Sequence, residues 1–338
     1  MKVKAVEIAK KLGISKATVS LALNGKSGVN EETRKRIMDC YHELENPEIP
    51  SAIGGKLIKV IVCNQGMRIV QDSEMDLWTD VLAVFDREAK KINYTVNVIY
   101  ANIRNDNLRR IIDECNMKDT AGVVLFATEL NPSDYQLFKD IQKPMVIYDS
   151  DLEDDSHYYI LINNGDGVKK AVDYLKERNF ENIVYLATEM NIYNFRARRE
   201  GFLEAVRRYN LPKEQCPIVA LGSRIDENYR KMTEYLEHNK LPEAFINENY
   251  QVSFGMLKAL AEKGIRIPED VSVIGIDEIP DYLTGSIHLT AIKIPHTQRA
   301  RLVMSLLEQE IEKEVDIKSR VLANCRLVEG NTVGGKGK

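Results

Sequence analysis

Gly13-Ile14-Ser15-Lys16-Ala17-Thr18-Val19-Ser20-Leu21-Ala22-Leu23-Asn24 is the stretch whose reading decides the first domain. Gly13 ends the element before it, because only glycine enters the left-handed region at little cost. Ser15 is placed to cap a helix over Lys16–Leu23 that buries Val19, Ala22 and Leu23. Upstream, Ala5, Ile8, Ala9 and Leu12 recur at i, i+3, i+4 and i+7, which predicts a short amphipathic helix over residues 4–12. Downstream, Asn24-Gly25 closes the second helix, and Asn30 caps a third with Glu31 and Glu32 in its first turn. The third helix carries Ile37, Cys40, Tyr41 and Leu44 on one stripe. Three short helices with a glycine turn between the first two follow helix-turn-helix grammar.

Charge supports that reading. Residues 1–36 hold nine Lys and Arg against three Glu, a surplus of +6 in a chain whose net charge is −4, so residues 37–338 carry −10. A basic head on an acidic body points to phosphate at the head alone. Across the outer face of the second helix lie Ser15, Lys16, Ala17, Thr18, Ser20, Leu21 and Asn24, small or polar side chains of the kind that fit the major groove. They are the candidate DNA-binding residues.

Residues 46–56, with two prolines and two glycines, read as a linker. Beyond it, short apolar runs alternate with longer amphipathic stretches. The runs are residues 58–63, 95–100, 122–127, 144–149, 181–187, 217–221, 243–247, 271–277, 289–294 and 319–324. Between them lie helices, one with Trp78, Val81, Leu82, Phe85 and Ala89 on a single face. Unbroken β-branched strands alternating with helices imply parallel sheets covered on both faces. About 270 residues of this pattern is long for one sheet, so two lobes are expected.

Other classes are disfavoured. Five scattered cysteines without a C-x-x-C pair argue against disulfides or zinc. No histidine pair has metal-ligand spacing, and no nucleophile, base and orienting group stand in a hydrolase pattern, so neither a metal, a cofactor nor an enzyme is expected. Gly25-Lys26-Ser27 mimics the end of a phosphate-binding loop, but Ser20 stands where the first glycine is required. No apolar run is long enough for a membrane span or a signal peptide, which predicts a cytoplasmic protein.

The words EIAKKLGISKATVSLALNG and VNEETRKRIMDCYHEL resemble the headpiece of the LacI/GalR family of bacterial repressors. The likeness continues through residues 160–175, 196–206, 246–278 and 289–307, the last two containing IPEDVSVIGIDE and LTAIKIPHTQRARLVMSLL. It implies an all-α helix-turn-helix headpiece followed by an α/β core of two parallel-sheet lobes, of the periplasmic-binding-protein type I. The implied divisions are a headpiece at 1–46, a linker at 47–56, an N-lobe at 57–158 plus 290–318, and a C-lobe at 160–287 plus 320–334. Crossings between lobes are expected near 159–163, 286–290 and 317–321.

Mapped on those landmarks, Arg198 corresponds to the arginine that grips the family's ligand, Asn249 to its cleft asparagine, and Asp277 to an aspartate that accepts hydroxyl hydrogens. Asp149 ends a strand on the opposite lobe, and Trp78 falls where the family carries an aromatic platform, although it equally fits the buried stripe of its helix. Arg196, close to Arg198, keeps anionic ligands open. The implied function is a dimeric repressor on a palindromic DNA operator, controlled by a small-molecule effector. A sugar or sugar derivative leads; a purine, an acidic metabolite or a protein partner follows. A solute-binding module without DNA function is the reading from a different class.

Two positions depart from the family. Leu21 stands where an arginine usually follows the Val-Ser of the recognition helix, and it can meet only a thymine methyl. Residues 45–55 replace the usual hinge segment with one in which Pro50 would interrupt a helix and Gly54-Gly55 would weaken its end. These residues leave open whether the family's hinge helix, and the leucine wedge it drives into the minor groove, forms on DNA.

Overall fold

The computed structural model describes residues 5–25, 28–45, 56–65, 77–313 and 317–335. The linker and its hinge question lie outside the described residues. Two compact units result, Met1–Gly55 and Lys56–Lys338.

The first unit is three helices: α1 (Ala5–Leu12), α2 (Lys16–Leu23) and α3 (Glu31–Glu45). Gly13 has φ +67°, as the turn requires. Ser15 Oγ accepts from the Thr18 amide at 3.0 Å and Asn30 Oδ1 from the Thr33 amide at 2.8 Å, so both expected caps form. Each is worth about 1 kcal/mol. Ile8, Val19, Ala22, Ile37 and Cys40 form the core, with Leu12, Leu23 and Tyr41 packed against it. Arg34 donates to the Ala22 carbonyl at 2.7 Å and ties the end of α2 to α3.

The second unit opens with β1 (Lys56–Asn64), α4 (Leu77–Lys91), β2 (Tyr94–Asn102), α5 (Leu108–Cys115), β3 (Thr120–Phe126), β4 (Met145–Tyr148) and β5 (Tyr158–Ile162). It continues with α6 (Asn164–Lys176), β6 (Ile183–Ala187), α7 (Tyr193–Arg208), β7 (Ile218–Ala220), α8 (Ile225–His238), β8 (Ala244–Asn247), α9 (Tyr250–Glu262), β9 (Ser272–Ile276), α10 (Asp281–Thr284) and β10 (Thr290–Lys293). The chain ends in α11 (His296–Glu312), β11 (Arg320–Ala323) and β12 (Arg326–Val328). The strands build two six-stranded sheets, ordered β11-β5-β4-β3-β1-β2 and β12-β10-β9-β8-β6-β7. Every pairing is parallel except β10 with β12. Strands β4, β5, β6, β8 and β9 are buried at every residue, because helices cover both faces. The sequence pattern located ten of these strands and missed β5 and β12.

That miss moves the expected lobe boundaries. β5 and β11 belong to the first sheet, and β10 to the second. The first crossing falls after Ile162, within the expected 159–163, whereas the second falls after Lys293 and the third after Ala323, beyond the expected 286–290 and 317–321. The physical reason is register: Val321–Ala323 pair with Ile160–Ile162, and Thr290–Ile292 with Ile274–Ile276, so each strand completes its sheet before the chain changes lobe. Asn163 and Asn324 join the first and third crossings through a 2.9 Å amide hydrogen bond.

Candidate functional site

Carboxyl ends of parallel strands are where open α/β sheets bind ligands, and in the core unit both sheets aim those ends at one cavity. It is lined by Thr128, Asp149, Ile162, Ile192, Asn194, Phe195, Arg198, Asn249, Tyr250, Asp277, Ile294 and His296, and it holds about 40 Å³. Of the five expected effector residues, Asp149, Arg198, Asn249 and Asp277 meet here, although 128 positions separate the first from the last. Trp78 is in α4, but its side chain is outside the described residues. Arg196 does not line the cavity; it reaches Asn131 at 3.5 Å.

Two aspartates mirror each other. Asp149 follows β4 and Asp277 follows β9, with φ +79° and +71°. Each amide donates to the neighbouring strand, Asp149 to the Ile160 carbonyl at 3.0 Å and Asp277 to the Ile292 carbonyl at 3.1 Å. Aspartate tolerates this left-handed backbone better than most residues, and the turn aims its carboxylate into the crevice.

Their partners differ. The Asp149 carboxylate takes Arg299 Nη2 at 2.5 Å on one oxygen, and Thr128 Oγ1 at 2.7 Å and Asn194 Nδ2 at 3.0 Å on the other. Arg299 is only 1% exposed, and its guanidinium carbon stands 4.3 Å from the Tyr148 ring centre. Among the described residues the Asp277 carboxylate has one hydrogen-bond partner, His296 Nε2 at 3.0 Å. Burial pushes its carboxyl up, but the His296 hydrogen bond and the charges of His296, Arg198 and Arg299 outweigh that and hold it below the usual carboxylate range.

Arg198 is positioned by helix packing. Along α7, Arg198, Gly201, Phe202 and Ala205 form the buried stripe. A Cβ at Gly201 would stand 2.5 Å from the Gly165 Cα, so glycine is what lets α7 lie directly on α6. One turn earlier Arg198 then meets α6, donating from Nε to Asn164 Oδ1 at 2.8 Å and from Nη1 to the Glu248 carbonyl at 2.7 Å. Glu248, fully buried, takes a forked pair from Arg199 at 2.7 Å each and so fixes the loop before α9. Asn249 caps α9, accepting from the Val252 amide at 2.9 Å.

A hydrogen-bond relay therefore runs from Arg299 through Asp149, Asn194 and Asn164 to Arg198, with Asn164 donating to Asn194 at 2.7 Å. Most of the polar capacity in the described wall is spent inside the protein. Arg198 Nη2 and Asp277 Oδ2 remain without a hydrogen-bond partner among the described residues. The arrangement suits a neutral or weakly charged ligand that accepts from one side and donates to the other, against Ile162, Ile192, Phe195 and Ile294.

The sequence reading missed Thr128, Asn194, His296 and Arg299. Thr128 and His296 follow apolar runs and were within reach of the strand-end rule. Asn194 stands one turn before Arg198 on the same helix. Arg299 gave no signal, since arginine in an apolar stripe ordinarily reads as its exposed border.

On the headpiece, Lys16, Ala17, Ser20 and Asn24 are exposed and Thr18 and Leu21 half-buried. Ala17, Ser20, Leu21 and Asn24 fall on the side of α2 away from the buried Val19 and Ala22, while Lys16 and Thr18 flank the buried face. Among the described residues no helix is long and apolar enough to cross a membrane, and no acidic, histidine or cysteine group has the makings of a metal site.

Residues 6–45 match the model for bacterial regulatory proteins of the lacI family, and residues 172–333 the periplasmic binding protein-like domain. The chain belongs to the lacI family of regulators. Among its relatives, the HTH-type transcriptional repressor PurR of Actinobacillus pleuropneumoniae serotype 3 is 28% identical over 91% of this chain and 90% of its own length. PurR of Haemophilus influenzae, strain KW20, is 25% identical over 90% of each chain. Of solved structures, the Lac repressor dimer bound to operator and the anti-inducer ONPF superposes with a TM-score of 0.71 at 19% identity, covering 98% of this chain and 99% of that one. The CelR–cellobiose complex gives 0.71 at 18% identity with the same coverage. These likenesses establish the two-lobed fold.

Proposed function

We propose that this lacI-family regulator represses transcription as a homodimer on a palindromic operator, and that an effector bound between Arg198 and Asp277 sets its duplex affinity. The observation that carries the reading is the convergence of Asp149, Arg198, Asn249 and Asp277 on one crevice in a chain that also bears a basic helix-turn-helix unit. Two headpieces meet two half-sites about one helical turn apart. A cavity of about 40 Å³ is far below the roughly 300 Å³ at which ligand sites begin. The lobes therefore part about the three crossings to admit the effector and close around it, and the effector acts by binding one lobe arrangement better than the other.

A sugar or sugar derivative is the first effector class, because Arg198 Nη2 can donate to, and the Asp277 carboxylate accept from, neighbouring hydroxyls. A purine base is the second. It is favoured by the small number of unspent polar groups beside a largely apolar wall, and by kinship with repressors named PurR. Thermal denaturation of the full chain with ribose, hexoses, disaccharides, sugar phosphates and purine bases separates the two, since a ligand that binds only the folded state raises the midpoint. A hit must then change duplex affinity. A chain lacking residues 1–46 that binds duplex as well as the whole would refute the DNA assignment.

A further inference from the structure

Operator reading by a recognition helix ordinarily relies on side chains free to hydrogen-bond base edges. Here Ser15, Thr18, Ser20 and Asn24 are engaged with their own helix. Thr18 Oγ1 shares a 2.8 Å hydrogen bond with Ser15 Oγ, which also accepts the Thr18 amide. Asn24 donates to the Ser20 carbonyl at 2.8 Å and, at 3.4 Å, to the Ser20 hydroxyl.

Opposite the buried Val19 and Ala22, the helical period places Ala17 and Leu21 one turn apart on the outer face. Leu21 is half-buried, and its Cδ1 lies 3.8 Å from where a Cβ on Gly28 would stand. The loop entering α3 thus leaves just enough room beside Leu21 for a glycine or a small side chain. An apolar pair at the centre of a face in a unit carrying +6 over residues 1–36 has a polyanion as its partner. The one apolar group on the major-groove edge of DNA is the thymine C5-methyl.

We propose that Leu21, with Ala17 beside it, reads a thymine C5-methyl group in each operator half-site, so that sequence is selected there by apolar contact. This rests on the operator-binding reading above. Lys16 supplies backbone attraction at the start of the same helix, which adds affinity without base discrimination.

The test uses the full chain. Duplexes enriched from a random pool give the site, and each thymine is then replaced singly by uracil, which deletes only the methyl. One thymine in each half-site should respond, with affinity falling about fourfold. Leu21→Ala should bind the thymine duplex about as weakly as the parent binds the uracil one, and should no longer distinguish the two. Leu21→Met, which keeps an apolar side chain of similar volume, should retain the preference and guards against a folding defect. Enrichment of a site at which no thymine senses uracil, or a uracil penalty undiminished in Leu21→Ala, would overturn the proposal. Failure to enrich any sequence over random DNA is a separate result, because it brings down the operator reading with it.

Discussion

Asp149 and Asp277 hold the same station in the two lobes and do different work. Both follow a buried strand in a left-handed turn and both face the crevice. Asp149 is saturated by a buried arginine, a hydroxyl and an amide. Asp277 keeps one oxygen unshared among the described residues, and its side chain is 14% exposed. Strand-end position thus puts a carboxylate at a cleft, and its neighbours decide whether it serves the fold or the ligand. Asp149 belongs to the frame that joins the lobes through Asn194, while Asp277 belongs to the effector.

The sharpest way to break that contrast is stability. Asp149→Ala strands the Arg299 guanidinium in the core, and it should cost about 3–5 kcal/mol in urea denaturation. A loss near 1 kcal/mol would mean that the pair contributes little. Asp277→Asn keeps a side chain suited to the left-handed turn and should cost under about 1 kcal/mol, while effector affinity falls tenfold or more. Equal stability losses for the two variants would erase the distinction.

Asn194→Ala removes the amide that links α7 to Asp149. A destabilisation of about 1–2 kcal/mol is expected, with a few-fold change in effector affinity, because lobe closure is made less favourable. Calorimetry with any effector hit checks both. The smallest effect is acid dependence. Asp277 ionises below an unfolded aspartate, which titrates near ~3.9. Its stability advantage over Asp277→Asn is therefore full above that value and disappears as pH falls through the lower folded one. An advantage that shrinks already between pH ~7 and ~5 would contradict the assigned direction.

The headpiece was almost wholly legible from sequence: both caps, the glycine turn and the buried stripe of α2 are local features, set within a few residues. The core was legible as strands and helices but not as lobes. Thr290–Lys293 and Arg320–Ala323 look alike as apolar runs, and only pairing with β9 and β5 assigns them to different sheets. At the cleft, position could be read and occupancy could not. Asp149 was rightly placed at a strand end, but its saturation depends on Arg299, 150 positions away. Asn249 likewise lines the cavity while its side-chain oxygen, Oδ1, caps α9.

The most direct test of the account is operator affinity measured against the effector found by the thermal screen, for the parent chain and for Asp277→Asn. The account predicts equal duplex binding without effector, a clear change in the parent as effector is added, and a variant response displaced to effector concentrations about tenfold higher or more. A variant that binds the operator and responds to the effector just as the parent does would place the effector elsewhere and contradict the account.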